Sequence, residues 1–136
     1  MEIRSTVIAI PVQDLGKSVS FYTQIFGLKT QIEEGMAIIE LPNLSLFLME
    51  KEAFEVYSQK AGRPALFPSA GVPAIFSCAL VSKEAVDKAL EDAPQYGGKR
   101  EAKAAIDPSF GGYIGYLADP DGHLWELVFP LQQKDQ

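Results

Sequence analysis

Few side chains in this sequence have the type and setting for chemistry, and the carboxylate of Glu126 comes first among them. It stands in an apolar run with Leu124, Trp125, Leu127 and Val128. Side chains alternate between the faces of a strand, so Glu126 is predicted to share its face with Leu124 and Val128. An acid in this setting either faces solvent or lies in a cavity, and a buried, unpaired carboxylate costs several kcal/mol. We therefore expect a partner for Glu126. The candidates are a hydroxyl from Tyr113, Tyr116 or Ser45, or a cation from Arg4, Lys99 or Arg100.

The only histidine and the only cysteine are weaker candidates. His123 precedes Glu126 by three positions, on the opposite face and beside a turn, so we expect it at the surface or stabilising the turn. Cys78 lies in the apolar run 75–81, which favours a buried structural thiol over a nucleophile. A single cysteine also excludes an internal disulfide.

A β-hairpin is predicted to position Glu126. The motif Asp-Pro-Asp-Gly at 119–122 joins two aromatic and apolar runs. Pro120 fixes φ at the first central turn position, Asp119 can bond the backbone two residues on, and Gly122 tolerates positive φ. Glu126 is thus predicted in the middle of the second strand of the hairpin.

The hairpin closes the second of two similar segments. In the first, strands are predicted at 6–12, 28–33, 36–41 and 44–49, with a helix between Asp14 and Gly27 and a short helix at 51–60. In the second, a strand at 74–81 precedes a helix capped by Ser82 and a strand at 100–105. The segment 61–73 holds three prolines and two glycines, which predicts a linker that can serve as a lid.

The order of elements predicts an α+β fold made of two βαβββ modules. We assign residues 1–60 to the first module and 74–130 to the second, within a single domain spanning 1–136. One module alone would leave a sheet edge and an apolar face exposed, so the two curved mixed sheets are predicted to pair around a barrel-like cleft.

Composition restricts the partners. The net charge of −6 argues against nucleic acid and an anionic membrane surface. No apolar run approaches the roughly 20 residues of a membrane span, and no signal-peptide pattern begins the chain. We therefore expect a cytoplasmic protein whose partner is a small molecule.

Two stretches resemble the vicinal oxygen chelate superfamily, which holds glyoxalase I, the bleomycin and fosfomycin resistance proteins and the extradiol dioxygenases. Residues 12–22, Val-Gln-Asp-Leu-Gly-Lys-Ser-Val-Ser-Phe-Tyr, are similar to its strand-to-helix opening. Residues 116–127, Tyr-Leu-Ala-Asp-Pro-Asp-Gly-His-Leu-Trp-Glu-Leu, are similar to its closing hairpin and form the more specific match. The resemblance implies a small glyoxalase-like member that forms a homodimer.

The resemblance also implies where a divalent metal would bind, with one His, Gln or Glu side chain from the first and last strand of each module. The matching positions here are Val7, Phe47, Ile75 or Phe76, and Glu126. Hydrocarbon side chains cannot coordinate, and a catalytic zinc site needs about three protein donors. We therefore predict no metal and no cofactor. A divalent metal remains the alternative, as in the lyases and dioxygenases of the superfamily.

We expect a metal-free cavity that binds an aromatic or cationic molecule, as the resemblance to bleomycin resistance proteins implies. The predicted lining residues are Val7, Ala9, Phe47, Met49, Phe76, Tyr113, Tyr116 and Glu126. Which of the two tyrosines faces the cavity depends on whether the hairpin carries a bulge. The alternatives are a cleft filled by its own side chains, and a lyase or dioxygenase-type enzyme that uses a metal or Glu126 as general base.

Overall fold

The computed structural model describes residues 1–109 and 111–131; residue 110 and residues 132–136 of the predicted domain lie outside the described residues. The chain divides into two compact units, Met1–Phe67 and Pro68–Gln136. This division falls inside the predicted linker 61–73. Each unit contains one mixed four-stranded sheet in a βαβββ order, which confirms the predicted α+β class.

The first unit has its strands in the order β1-β4-β3-β2, with β1 and β4 parallel and the other pairs antiparallel. Its elements are β1 (Val7–Val12), α1 (Leu15–Phe26), β2 (Thr30–Glu33), β3 (Met36–Leu41), β4 (Leu44–Glu50) and α2 (Lys51–Ser58). A short 3₁₀ turn, Gln59–Ala61, follows α2.

The predicted ends of α1 are confirmed. The Asp14 side chain accepts a hydrogen bond of 3.0 Å from the backbone N–H of Lys17, which satisfies one of the free donors of the first turn. Gly27 ends the helix with φ 65°, a left-handed conformation that glycine adopts without a Cβ penalty.

The two faces of the first sheet differ in burial. One face is formed by fully or nearly fully buried side chains and packs on α1: Ile10, Ala37, Ile39, Leu46 and Leu48. The alternate positions belong to the other face, and the register of the strands places Ala9, Phe47 and Ile38 side by side there. This second face is the one next to α2, which directly follows β4 in sequence.

The second unit repeats the arrangement in the order β5-β8-β7-β6. Its elements are β5 (Ile75–Ala79), α3 (Lys83–Asp92), a 3₁₀ turn (Ala93–Tyr96), β6 (Lys99–Asp107), β7 (Gly112–Ala118) and β8 (Leu124–Pro130). The predicted cap of α3 is present, since Ser82 Oγ accepts from the Ala85 N–H at 3.0 Å.

Two strand lengths in the second unit correct the prediction. Strand β5 is shorter than the predicted 74–81, and β6, at nine residues, is longer than the predicted 100–105. Most residues of β6 are exposed, and its pairing with β7 shifts register twice. Its sequence lacks a regular alternation of apolar and polar residues, so the full length of the strand was not visible in the sequence.

Among the described residues, no helix has the length and apolar character to cross a membrane.

The turn of the predicted hairpin forms as its residue types indicate. Asp119 Oδ1 accepts from the backbone N–H groups of Asp121 and His123, both at 2.9 Å. The Gly122 N–H donates to the Asp119 carbonyl at 3.0 Å, and Gly122 has φ 95°. A Cβ at Gly122 would meet the carbonyl oxygen of Pro68, so the glycine also permits the linker to approach. The turn pairs Ala118 with Leu124 and thereby sets the register of β8.

Candidate functional site

Glu126 lies on the sheet face that the sequence predicts, and two hydroxyl groups bind it. Its cross-strand neighbours are Ser77 on β5 and Tyr116 on β7. Ser77 Oγ donates to Oε1 at 2.6 Å, and the Tyr116 hydroxyl donates to Oε2 at 2.5 Å. Hydrogen bonds to an ionised carboxylate are short and about twice as strong as neutral ones. We call these three residues the carboxylate row.

Among the residues that the structure describes, the partners of Glu126 in the carboxylate row are hydroxyl groups rather than a cation. Tyr116 was one of the predicted hydroxyl partners, whereas Ser77 was missed because its alignment with Glu126 depends on the register between β5 and β8. The hydrogen bond to Glu126 is the main cause that raises the pKa of Tyr116, with burial and the charges of Glu126 and Asp107 adding to it. Glu126 itself is half-buried rather than enclosed.

Tyr113 and Phe76 do not lie on the face of Glu126. This corrects the predicted orientation of Phe76, and it decides between the two tyrosines that the sequence left open. Both alternate with the residues of that face. The Tyr113 hydroxyl donates to Asp87 Oδ1 on α3 at 2.5 Å. Phe76 stacks on Trp125, with ring centroids 5.1 Å apart. The register Tyr116–Glu126 therefore decides which tyrosine joins the acid.

The remaining chemical candidates have structural settings. Burial raises the pKa of Cys78 to about 11, so little reactive thiolate is present at neutral pH. His123 is 5% exposed, which contradicts a surface position. Its backbone N–H donates to Asp119, in agreement with a contribution to the turn.

The first unit contains an open cavity of about 450 Å³ between α2 and the sheet face that points away from α1. Its walls come from three strands and the helix: Ala9, Met36, Phe47, Met49, Phe54, Tyr57 and Ser58. Of the predicted lining residues, Ala9, Phe47 and Met49 are thus brought together around one cavity. Val7 lies on the same sheet face but is not part of the lining.

Helix α2 supplies the lining residues that the predicted site omitted. Phe54 and Tyr57 are three positions apart, so they project from one side of the helix toward the sheet. This spacing is visible in the sequence and was the available signal. Lys60 Nζ lies 5.0 Å from the centroid of the Tyr57 ring, a cation–π contact that stabilises the position of the ring.

A second open cavity, of about 420 Å³, lies within the second unit. Residues 68–72 of the linker form one side, and Lys99, Glu101, Tyr116 and Leu124 contribute to the other. The linker thus lies over an end of the face that bears the carboxylate row. Its walls are far more polar than those of the first cavity, with two charged side chains among them.

The residues at the implied metal positions do not fit a divalent ion. Val7 and Phe47 offer only hydrocarbon, and both oxygens of Glu126 already accept hydroxyl hydrogen bonds. Within residues 1–109 and 111–131, no group of three or more His, Cys, Asp or Glu side chains is arranged to hold a metal. The donor chemistry around Glu126 is that of a hydrogen-bonded carboxylate.

Comparison with known protein families shows the family of this chain. The family model of the Glyoxalase/Bleomycin resistance protein/Dioxygenase superfamily matches residues 4–127. The chain belongs to this superfamily. Membership agrees with the two βαβββ units and with the opening and closing motifs of the sequence. No curated protein matches the chain.

Several solved structures share the fold of this chain. A hypothetical protein from S. aureus is 25% identical, with a TM-score of 0.79 and 95% of each chain covered. A lactoylglutathione lyase from Agrobacterium tumefaciens is 20% identical, with a TM-score of 0.61 and 94% of each chain covered. A genomically encoded fosfomycin resistance protein from Listeria monocytogenes is 20% identical, with a TM-score of 0.68, covering 95% of this chain and 94% of that one. At these identities the likeness extends to the fold, since superfamily members on one scaffold carry out different functions.

Proposed function

We propose that this protein binds a small neutral aromatic molecule in the cavity of its first unit, without a metal. The observation that carries the proposal is the lining of that cavity. Within residues 1–109 and 111–131, its lining includes three aromatic rings and two thioether side chains and no charged side chain. Aromatic and methionine side chains favour flat apolar ligands through ring stacking and sulfur–aromatic contacts, each about 0.3–1.5 kcal/mol.

The lining narrows the ligand class that the sequence left open. Aromatic faces attract a cation by only about 0.5–2 kcal/mol, and a cation that is desolvated without a carboxylate partner loses several kcal/mol of hydration. Glu126, the acid expected to provide that charge, is not among the lining residues of this cavity. The cavity therefore favours the aromatic ligand over the cationic one.

An enzyme that uses Glu126 has less support. A general base needs free access to the proton that it removes. Each oxygen of Glu126 already accepts a hydrogen bond from a neighbouring hydroxyl, and the other three of the family's four metal positions carry hydrocarbon. The carboxylate row is therefore proposed to stabilise the second sheet.

Blocking the cavity tests the proposal. Ala9 is an exposed residue on the floor of the cavity, so Ala9→Phe adds a ring there without disturbing the buried core. We expect wild-type protein to bind 2-naphthol in isothermal titration calorimetry and Ala9→Phe to lose this binding. Ala79→Phe is the matched control, because Ala79 is an exposed alanine on the corresponding edge strand of the second unit.

The outcomes separate clearly. Loss of binding in Ala9→Phe with retention in Ala79→Phe supports the proposed site. Equal binding by all three proteins, or no binding by the wild type, contradicts it. Circular dichroism of each variant shows whether the fold is retained.

We also propose that the chain forms a homodimer. Isoleucines on three edge strands are substantially exposed: Ile32, Ile75 and Ile106. Edge strands with exposed apolar side chains favour pairing with another chain. Analytical ultracentrifugation is expected to give twice the monomer mass, and a monomer at micromolar concentration would contradict the proposal.

A further inference from the structure

One lining residue of the first cavity differs from the others because it is polar and lacks a partner. Ser58 is the last residue of α2, and its Oγ atom is buried. Among the buried side-chain polar atoms in the described part of the chain, Ser58 Oγ alone has no hydrogen-bond partner. Such orphaned groups are uncommon in folded proteins, and each calls for an explanation.

The cost of leaving this hydroxyl unpaired is appreciable. A buried polar group without a hydrogen bond loses about 1–3 kcal/mol relative to one that has a partner. Alanine would line the same space without that loss, so the unpaired hydroxyl does not stabilise the ligand-free protein. A ligand that supplies the missing hydrogen bond would recover the lost free energy when it binds.

Resting on the proposed function, we infer that the cavity selects an aromatic molecule bearing a hydroxyl group, and that Ser58 is the residue that recognises it. A serine hydroxyl both donates and accepts, and a phenolic hydroxyl can do the same, so either direction of the hydrogen bond is available. Rotation about the Cα–Cβ bond moves Oγ among staggered positions, which allows it to turn toward a ligand in the cavity that Ser58 lines.

The surroundings of Ser58 explain why a hydroxyl is favoured over a charged group. The other lining side chains are Ala9, Met36, Phe47, Met49, Phe54 and Tyr57. An ionised group would lose its hydration there and gain one neutral partner, whereas a hydroxyl needs only one or two hydrogen bonds. The apolar walls hold the ring, and Ser58 fixes its orientation.

A comparison of two probes with the same shape tests this inference. 2-Naphthol and 2-methylnaphthalene differ by a hydroxyl in place of a methyl group. We expect Ser58→Ala to weaken the binding of 2-naphthol about fivefold, the effect of losing one typical hydrogen bond. The affinity for 2-methylnaphthalene should stay within the experimental error, because that probe makes no hydrogen bond. The affinity of the variant is divided by that of the wild type for each probe, so the different water solubilities of the two probes cancel.

Ser45→Ala provides the matched control. Ser45 lies on the sheet face that carries Phe47, but its hydroxyl donates to Glu40 at 2.6 Å and Ser45 does not line the cavity. We expect it to bind both probes as the wild type does. The inference is supported if Ser58→Ala weakens the binding of 2-naphthol and Ser45→Ala does not.

The contrary outcomes distinguish this inference from the proposed function. If Ser58→Ala weakens both probes equally or neither, the cavity binds aromatic molecules but Ser58 does not select the hydroxyl, and the inference is wrong. If the wild type binds neither probe, the proposed function fails together with the inference.

Discussion

The two units have the same strand order and opposite chemistry on corresponding faces. In the first unit, the face away from α1 carries Ala9 and Phe47 and forms an apolar cavity with α2. In the second, the face away from α3 carries the carboxylate row and contributes to a more polar cavity. Alternation along a strand separates these faces from the buried face that holds each helix. One fold can therefore carry two unrelated surfaces, because residues on the sheet face away from the helix can be substituted without disturbing the core.

The largest difference between the units is expected at their hairpin turns. Gly122→Ala introduces a Cβ at positive φ and against the Pro68 carbonyl, so we expect the free energy of unfolding to fall by about 3 kcal/mol. Asn43→Ala, in the exposed turn between β3 and β4, should cost less than about 0.5 kcal/mol. Urea denaturation measures both. Equal losses would show that the second turn is no more constrained than the first.

The carboxylate row gives the next effect. Glu126→Gln removes the charge from two short hydrogen bonds, and we expect a loss of about 1–2 kcal/mol in the free energy of unfolding. Glu40→Gln is the matched change in the first unit, where Ser45 is the hydroxyl donor at an exposed site. It should cost less than about 0.5 kcal/mol. A larger loss at Glu40 than at Glu126 would contradict the structural role of the row.

Two serines on the helices should change stability in opposite directions. Ser82→Ala removes the N-cap of α3 and is expected to lower the free energy of unfolding by about 1 kcal/mol. Ser58→Ala removes a buried hydroxyl without a partner, so the ligand-free protein should be unchanged or slightly more stable. Thermal unfolding of both variants checks this pair. Destabilisation by Ser58→Ala would mean that the hydroxyl already has a structural role.

The carboxylate row also predicts a pH dependence of the stability of the protein. The hydrogen bond to Glu126 raises the pKa of Tyr116 above its ordinary value of 10.0. The native state therefore favours the protonated phenol. Its stabilising contribution is complete below pH 10 and is lost as the pH rises through the folded-state pKa. Ultraviolet titration of wild type and Tyr116→Phe should show that the variant lacks a late-ionising tyrosine. Loss of an early-ionising tyrosine instead would contradict this.

Much of the fold followed from the sequence because local signals were strong. Asp14 and Gly27 marked both ends of α1, and the Asp-Pro-Asp-Gly motif marked the hairpin turn. The exposed strand β6 was underestimated because it has no apolar alternation and its pairing is irregular. Local patterns determine elements well, whereas irregular pairing depends on the neighbouring strand.

The site was predicted only in part for the same reason. Ala9, Phe47 and Met49 were predicted to line one cavity from the family resemblance together with strand alternation, and all three line the first cavity. The partnership of Ser77 with Glu126 required the β5–β8 register, which no residue of either strand encodes by itself. Ser58 was not found because its significance lies in a missing hydrogen bond, and only three-dimensional packing reveals that.

Methionine methyl NMR tests the central claim most directly, because the sequence contains three methionines. Met36 and Met49 line the cavity of the first unit, whereas Met1 is fully exposed and serves as an internal control. On titration with 2-naphthol, ring currents from a bound ligand should shift the methyl signals of Met36 and Met49 in a saturable way and leave Met1 unchanged. Unchanged signals of Met36 and Met49, or equal shifts of all three methionines, would contradict a specific aromatic site in this cavity.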